Sequence, residues 1–253
     1  MPAQAPTLKR AIRRGLFHLG YEIHRRDVPE AGDLEYGTVR PWAEYCPWNC
    51  DGEFSRTYEA IESHTLIDRY RCHELWQLVE QSAKLRGALL EVGVWRGGTG
   101  AIIARQADRC GIAEPVYLCD TFTGVVKAGA NDAAYHGGEH ADANRDAVAT
   151  LINGRLGLGN IRILEGIFPE DTAQLVEHDA FRFCHIDVDV YQSARDVVTW
   201  LWDRLVPGGL VVYDDYGFRS TPGVTRFVND QRAESDRLVM HNLNGHAVVI
   251  KLR

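Results

Sequence analysis

Leu89 to Ile102 reads LLEVGVWRGGTGAI, an apolar run that gives way to glycines and then to residues of helical period. Glycines at a strand-to-helix turn allow a tight reversal and close approach of a ligand to the backbone, and the helix N-terminus presents free N–H donors. The expected occupant is a nucleotide-like cofactor. The spacing Gly93, Gly97, Gly98, Gly100 departs from the G-x-G-x-x-G fingerprint of dinucleotide sites, which counts against NAD. Glu91, two residues before Gly93, would meet a pyrophosphate unfavourably but an amino-acid ammonium or a sulfonium favourably. That preference points to S-adenosylmethionine. The next apolar run, PVYLCD, closes on Asp120, placed to take both hydroxyls of a ribose. Alone, each feature also fits an ordinary strand-to-helix turn or a capping acid; in this order they reinforce one another.

Outward from the glycine turn, ALLEVGV, PVYLCD, NIRILEG, FRFCHIDVDV and GLVVYDD alternate with longer segments of helical period. Such alternation, with strands apolar on both faces, predicts a parallel sheet covered by helices on each side. RLVMHNL and HAVVIKL, joined around Asn244 and Gly245, are expected to pair as an antiparallel hairpin. The fold class is therefore α/β, a doubly wound Rossmann-like sheet of seven strands, mostly parallel, with an antiparallel C-terminal hairpin. Thr99 marks a helix start, and Pro207, Gly208 and Gly209 are expected to end the helical run VVTWLWDRL.

Residues 1–85 differ in kind and are expected to form an N-terminal helical cap, with 86–253 as the cofactor-binding domain. Helical patterns around Leu8 to Arg25 and Leu66 to Leu85 flank VRPWAEYCPWNCDGEF, which lacks clear periodicity. Leu8, Ile12, Leu16, Leu19 and Ile23 form a stripe on the basic first pattern, expected to pack against the body or a second subunit rather than a membrane surface. The chain is expected to be a homo-oligomer. The long, Gly- and Ala-rich segment GVVKAGANDAAYHGGEHADAN, ending at Asn144, suits a mobile loop over a site.

The stretch FRFCHIDVDVYQ, Phe181 to Gln192, carries a second kind of signal. Strand alternation puts Phe181, Phe183, His185, Asp187 and Asp189 on one face, with the acids last. A buried, unpaired carboxylate costs several kcal/mol, so the pair is expected where the strand leaves the sheet and meets a cation. Asp214 and Asp215 close the later run VVYDDYG, and the C-terminal strand ends of a doubly wound sheet converge on one crevice. Four carboxylates gathered there repel; a hard divalent cation, Mg2+ first among oxygen-preferring ions, relieves this. The alternative is that these acids cap helices or stay solvated at loop mouths. His136 and His140, in HGGEH, could touch substrate, although loop histidines are more often simply solvated.

Composition bounds the partners. With 45% hydrophobic and 25% charged residues over 253 positions, the chain can bury a sizeable core. A net charge of -7 offers no field for a phosphate backbone, so no nucleic acid is expected and a small neutral or cationic substrate suits it better. Cys119 and Cys184 lie in strand-like runs and Cys72 and Cys110 in helix-like ones, which reads as a reducing, cytoplasmic setting rather than a disulfide framework. Cys46 and Cys50 lack a second ligand pair for zinc. No apolar run reaches the roughly 20 residues of a membrane span, nor does the N-terminus carry a signal-peptide core, so no membrane insertion is expected.

The ordered set EVGVWRGG, DTFTG, HIDVDVYQS and LVPGGLVVYDDYG resembles the TylF/MycF macrocin O-methyltransferase family, over roughly Thr65 to Lys251. The resemblance implies a class I methyltransferase fold that uses S-adenosylmethionine and Mg2+ to methylate a sugar hydroxyl of a glycosylated secondary metabolite or nucleotide sugar. It implies Asp187, Asp214 and Asp215 as metal ligands and Asp189 as general base. On the cofactor side it implies Thr65, Glu91, Gly93, Gly97, Gly98 and Thr99. Asp120, Thr121, Phe122, Gly166 and Phe168 complete that side, and HADAN resembles the family's closing loop. YCPWNCDGEF has no counterpart in the family pattern, so the resemblance assigns no acceptor pocket. A metal-dependent glycosyltransferase with an Asp-x-Asp pair is the rival reading, against which the upstream glycine turn argues. A non-catalytic protein of the same fold would be expected to have lost the acids, and all four are present.

Overall fold

The computed structural model describes residues 43–253 together with Gly15, Leu16, Leu19 and residues 35–39. Apart from Gly15, Leu16 and Leu19, the basic stripe expected from Leu8 to Arg25 lies outside the described residues. The chain divides into two units, Met1–Thr38 and Val39–Arg253, and the second holds the sheet.

Its strands are β1 (Ala88–Val92), β2 (Val116–Asp120), β3 (Ile161–Glu165), β4 (Phe181–Ile186), β5 (Leu205–Tyr213), β6 (Arg237–His241) and β7 (Ala247–Lys251). They hydrogen-bond in the order β3-β2-β1-β4-β5-β7-β6. The first five strands pair in parallel, and β7 runs antiparallel to both β5 and β6, as the sequence predicts. The direction of winding reverses between β1 and β4, the point where sheets of this kind leave a crevice for a ligand.

Alternate strand residues feed two cores. Leu89, Leu118, Phe183 and Val212 pack beneath α1 (Gly52–Ile61), α2 (Arg69–Ser82), α3 (Gly98–Arg109) and α4 (Arg145–Ala149). Leu90, Cys119, Cys184 and Val211 pack beneath α5 (Tyr191–Leu201) and α6 (Pro222–Asp230). Phe54, Leu75 and Trp76, from α1 and α2, share the first core with Ile102 of α3. Helix α1 begins where VRPWAEYCPWNCDGEF lacked a visible period. Its signal is local: Asp51 caps it by accepting from the N–H groups of Glu53 (3.1 Å) and Phe54 (3.0 Å), and Phe54, Tyr58 and Ile61 then bury one stripe.

Two sequence expectations are corrected by register. Phe181 and Phe183 do not share a face: pairing shifts between them, leaving Phe183 in the first core and Phe181 in the second. Pro207, Gly208 and Gly209 do not close a helix. Helix α5 stops at Leu201, and these residues form an irregularity within β5, whose pairing jumps from Phe181↔Leu205 to Phe183↔Leu210. Extra residues in one strand of a pair rotate the rest of that strand, so strict alternation fails across them.

Candidate active site

At the switch point the ends of β1 and β4 touch. Gly93 adopts φ +89, and a Cβ there would lie 1.7 Å from the carbonyl oxygen of Asp187, so only glycine lets the two strand ends meet. The Asp187 N–H donates to the carbonyl of Val92 at 2.9 Å across this contact. Gly98 makes a second close approach: a Cβ would stand 2.6 Å from the His64 carbonyl, which brings Thr65 against the start of α3. Asp120 buttresses the turn, with Oδ2 accepting from Val94 (2.6 Å) and Trp95 (2.8 Å) N–H and Oδ1 from Phe122 N–H (2.7 Å).

These elements wall a cavity of ≈ 290 Å³, about the lower size of a small-molecule site. Among the residues expected on the cofactor side, Thr65, Gly93, Thr99 and Asp120 line it, together with Thr121, Gly166 and Phe168. Gly97, Gly98 and Phe122 are not among its lining residues; Gly97 and Phe122 take positive φ in the turns that follow β1 and β2. Glu91 is placed differently from the expectation. It is fully buried and does not line the cavity; Oε1 faces His185 Nδ1 at 2.9 Å, while Oε2 lies under the first turn of α3, 2.7 Å from where a Gly100 Cβ would be.

The acids converge on the same cavity, which Asp187, Asp189, Asp214 and Asp215 all line. Ligand atoms of Asp187, Asp214 and Asp215 lie within 4.8 Å of one another. The strand ends at Ile186, so Asp187 and Asp189 are not brought together by strand alternation. Asp189 instead has φ +63, an uncommon conformation for a residue with a side chain, and its N–H donates to Asp215 Oδ2 at 3.0 Å. Tyr135, from the long loop, lines the cavity with Asp189.

Electrostatics divides the four. Burial, followed by repulsion from Asp214 and Asp215, pushes Asp187 well above the ordinary carboxylate value. Burial and the charges of Asp189 and Asp214 do the same to Asp215. Burial also raises Asp189, against a lowering influence of the Tyr135 phenol. Asp214 goes the other way: burial opposes ionisation, but the His246 hydrogen bond and charge and the Arg71 guanidinium outweigh it. Arg71 reaches Asp214 Oδ2 at 2.6 Å and His246 Nε2 reaches Oδ1 at 2.8 Å.

An all-oxygen set of mutually repelling carboxylates, two of them resisting ionisation, fits a hard divalent cation. A second group among the described residues, His185, Asp214 and His246, also comes within ligand reach, but it is already closed by the His246–Asp214 hydrogen bond.

Arg71, Tyr135, Glu74 and His246 were not assigned from sequence. Arg71 sits in RYRCHEL, where only Asp68, a local partner at 2.8 Å, distinguishes it. The loop from Val125 to Asn144 is fastened at several points. Lys127 pairs with Glu170 and Asp196, Asp132 Oδ1 accepts from the Tyr191 N–H at the start of α5 (2.9 Å), and Asp142 Oδ1 accepts from Trp95 Nε1 (2.6 Å). Between the last two anchors, Tyr135 and His140 line the cavity; His136 does not.

A family model described as Macrocin-O-methyltransferase (TylF) matches residues 58–248. The chain belongs to the TylF macrocin O-methyltransferase family. A TylF-family chain is an S-adenosylmethionine-dependent O-methyltransferase, which removes the glycosyltransferase and non-catalytic readings. The chain is 29% identical over 191 residues to the mycinamicin III 3''-O-methyltransferase of Micromonospora griseorubida, covering 70% of this chain and 74% of that one. It is 30% identical over 168 residues to the 8-demethyl-8-(2,3-dimethoxy-alpha-L-rhamnosyl)-tetracenomycin-C 4'-O-methyltransferase of Streptomyces olivaceus, covering 61% and 63%. Among solved structures, the O-methyltransferase NovP superposes with a TM-score of 0.64 at 25% identity, covering 75% of this chain and 83% of NovP. The seven-stranded sheet is thus that of the Rossmann-like class I methyltransferases.

Proposed function

We propose that this TylF-family enzyme methylates a sugar hydroxyl of a glycosylated natural product with the help of Mg2+. The observation that carries the reading is the meeting of three carboxylates, Asp187, Asp214 and Asp215, with a fourth, Asp189, in the cavity that the glycine turn walls. The rhamnosyl-bearing substrate named for the Streptomyces olivaceus relative supports a sugar acceptor.

S-adenosylmethionine supplies a methyl group on a positively charged sulfur, which needs alignment and exclusion of water more than activation. Thr65, Thr99, Asp120 and Gly166 would hold it, since they line the cavity around the glycine turn. Mg2+ held by Asp187, Asp214 and Asp215 would supply positive charge beside an acceptor hydroxyl and make its proton easier to lose. Asp189 takes that proton: it faces the cavity, its backbone is tied to Asp215, and its raised proton affinity suits a base. Tyr135, on the loop side of the same cavity, opposes the rise in the Asp189 carboxyl's proton affinity. Labelled S-adenosylmethionine incubated with a panel of glycosylated metabolites and nucleotide sugars, with Mg2+ or with chelator, tests this. A methylated glycoside that forms only with Mg2+ is expected; turnover that survives chelation removes the cation from the mechanism.

Asp120→Ala should weaken S-adenosylhomocysteine binding by about 1.5–3 kcal/mol, as for losing hydrogen bonds to a charged group. Titration calorimetry showing parental affinity would take Asp120 out of the cofactor site.

The raised carboxyls make cation binding depend on pH. Asp187 and Asp215 resist ionisation in the fold, so their contribution to stability is present at low pH and is lost as pH rises through their raised pKa values. A cation that binds only the ionised pair reverses that loss. At about 100 times its dissociation constant, Mg2+ should add about 2.7 kcal/mol near pH 8, and progressively less on acidification as protons compete. Thermal melts near pH 8 and in mild acid check this; an equal Mg2+ shift under both conditions would remove these carboxyls from the cation site.

Hydrogen exchange in residues 133–141 should slow when cofactor and acceptor are both bound, because this stretch lies between anchors and carries Tyr135. Exchange that is as slow without ligands would show that the loop does not act as a lid.

A further inference from the structure

We propose that Glu74 and His246 are positioning residues of the cation site, setting the orientation of Asp214 from outside the strand that carries it. The inference rests on the cation reading above. Asp214 follows β5, yet neither of its oxygens is held by β5. Oδ1 accepts from His246 Nε2 at 2.8 Å, at the start of the β7 arm, and Oδ2 accepts from Arg71 on α2 at 2.6 Å. His246 in turn faces Glu74 Oε2 through Nδ1 at 2.6 Å, so both ring nitrogens are committed and the ring cannot turn without breaking one contact. His246 is fully buried.

Glu74 is the hub of this arrangement. It lies one helical turn after Arg71 on α2, on the same helix face, and takes donors from Asn242, Asn244 (2.8 Å) and His246, all in or beside the β6–β7 turn. One face of α2 therefore reaches both oxygens of Asp214, directly through Arg71 and indirectly through Glu74 and His246. A carboxylate oxygen has two lone-pair sites, so each Asp214 oxygen retains one for a further partner, in a plane fixed by these contacts. A carboxylate–imidazole–carboxylate chain of this kind, with its last member in a ligand set, is how proteins orient a metal ligand from behind, and removing such a support typically costs about 10–100-fold in metal affinity.

A purely structural role, tying the β6–β7 turn to α2, predicts something different: lower thermal stability with unchanged cation affinity in the folded protein. Mn2+ binding to the full chain saturated with S-adenosylhomocysteine, followed by electron paramagnetic resonance, separates the two. Glu74→Ala is expected to weaken Mn2+ binding about 10–100-fold and to raise the Mg2+ concentration needed for half-maximal turnover. Its affinity for S-adenosylhomocysteine should stay within about twofold of the parent, and Glu74→Gln, which keeps an acceptor for His246, should restore most of the Mn2+ affinity. Folded Glu74→Ala with parental Mn2+ affinity overturns the proposal. Should Glu74→Ala not fold, Glu74→Asp, one methylene shorter, gives the same reading: weakened Mn2+ binding supports the proposal and parental binding overturns it. A parent that takes up no Mn2+ overturns the cation reading itself and this inference with it.

Discussion

Asp189→Asn is expected to lower turnover by about 10²–10⁴-fold while leaving cation and cofactor affinity near the parental values. Asparagine preserves the size of the side chain and keeps an acceptor oxygen, but it cannot take a proton. Asp189 tolerates the replacement better than most residues would at φ +63, because asparagine also adopts this backbone region readily. The backbone N–H that donates to Asp215 Oδ2 is untouched, so the triad of Asp187, Asp214 and Asp215 should keep its shape. Single-turnover rates and Mn2+ binding, measured on the same preparation, distinguish a base from a ligand. Lost Mn2+ affinity in Asp189→Asn, with retained affinity in Asp187→Asn, would exchange the two roles.

Arg71→Ala is expected to cost about 3–5 kcal/mol of stability, the usual penalty for removing one partner of a buried ion pair. Arg71 and Asp214 are both largely buried and pair at 2.6 Å, and the guanidinium also lies over the Phe218 ring and bonds Asp68. Its removal leaves Asp214 beside Asp187 and Asp215 with only His246 in compensation. Mg2+ should therefore recover part of the loss. The sign with pH is set by Asp214, whose pKa in the fold is held below its ordinary value: the stability it brings is present above its unfolded pKa and lost as pH falls through the folded one. Parent and variant should thus converge in strong acid. Urea unfolding with and without Mg2+ checks the prediction, and a difference under about 1 kcal/mol would mean that the pair is not a structural element.

The two outcomes bear on different parts of the site. The Asp189 outcome tests the chemistry proposed at the cavity, whereas the Arg71 outcome tests how α2, packed in the same core as α3, holds Asp214. Helix α2 reaches Asp214 directly through Arg71 and, by way of His246, through Glu74.

Much of this was legible in consecutive residues. The run LLEVGV ends just past Gly93, and the alternation of apolar and helical segments yields the parallel sheet, because a strand or helix buries its own face by a period written along the chain. The acids at Asp187, Asp189, Asp214 and Asp215 stand just beyond two strands, and parallel strand ends meet at one edge, so their convergence is a consequence of topology. Tertiary structure alone decided the rest. Glu91 faces His185 beneath the first turn of α3 and is not among the residues lining the cavity, a placement that depends on what packs against that face of the sheet. The shift at Phe181 and the excursion at Pro207–Gly209 arose from pairing between strands, which no single strand encodes. Asp214 is held by Arg71, 143 positions away, and His246 by Glu74, 172 positions away; contacts at such separations are set only when the sheet and α2 are folded together, because nothing near either residue in sequence specifies its partner.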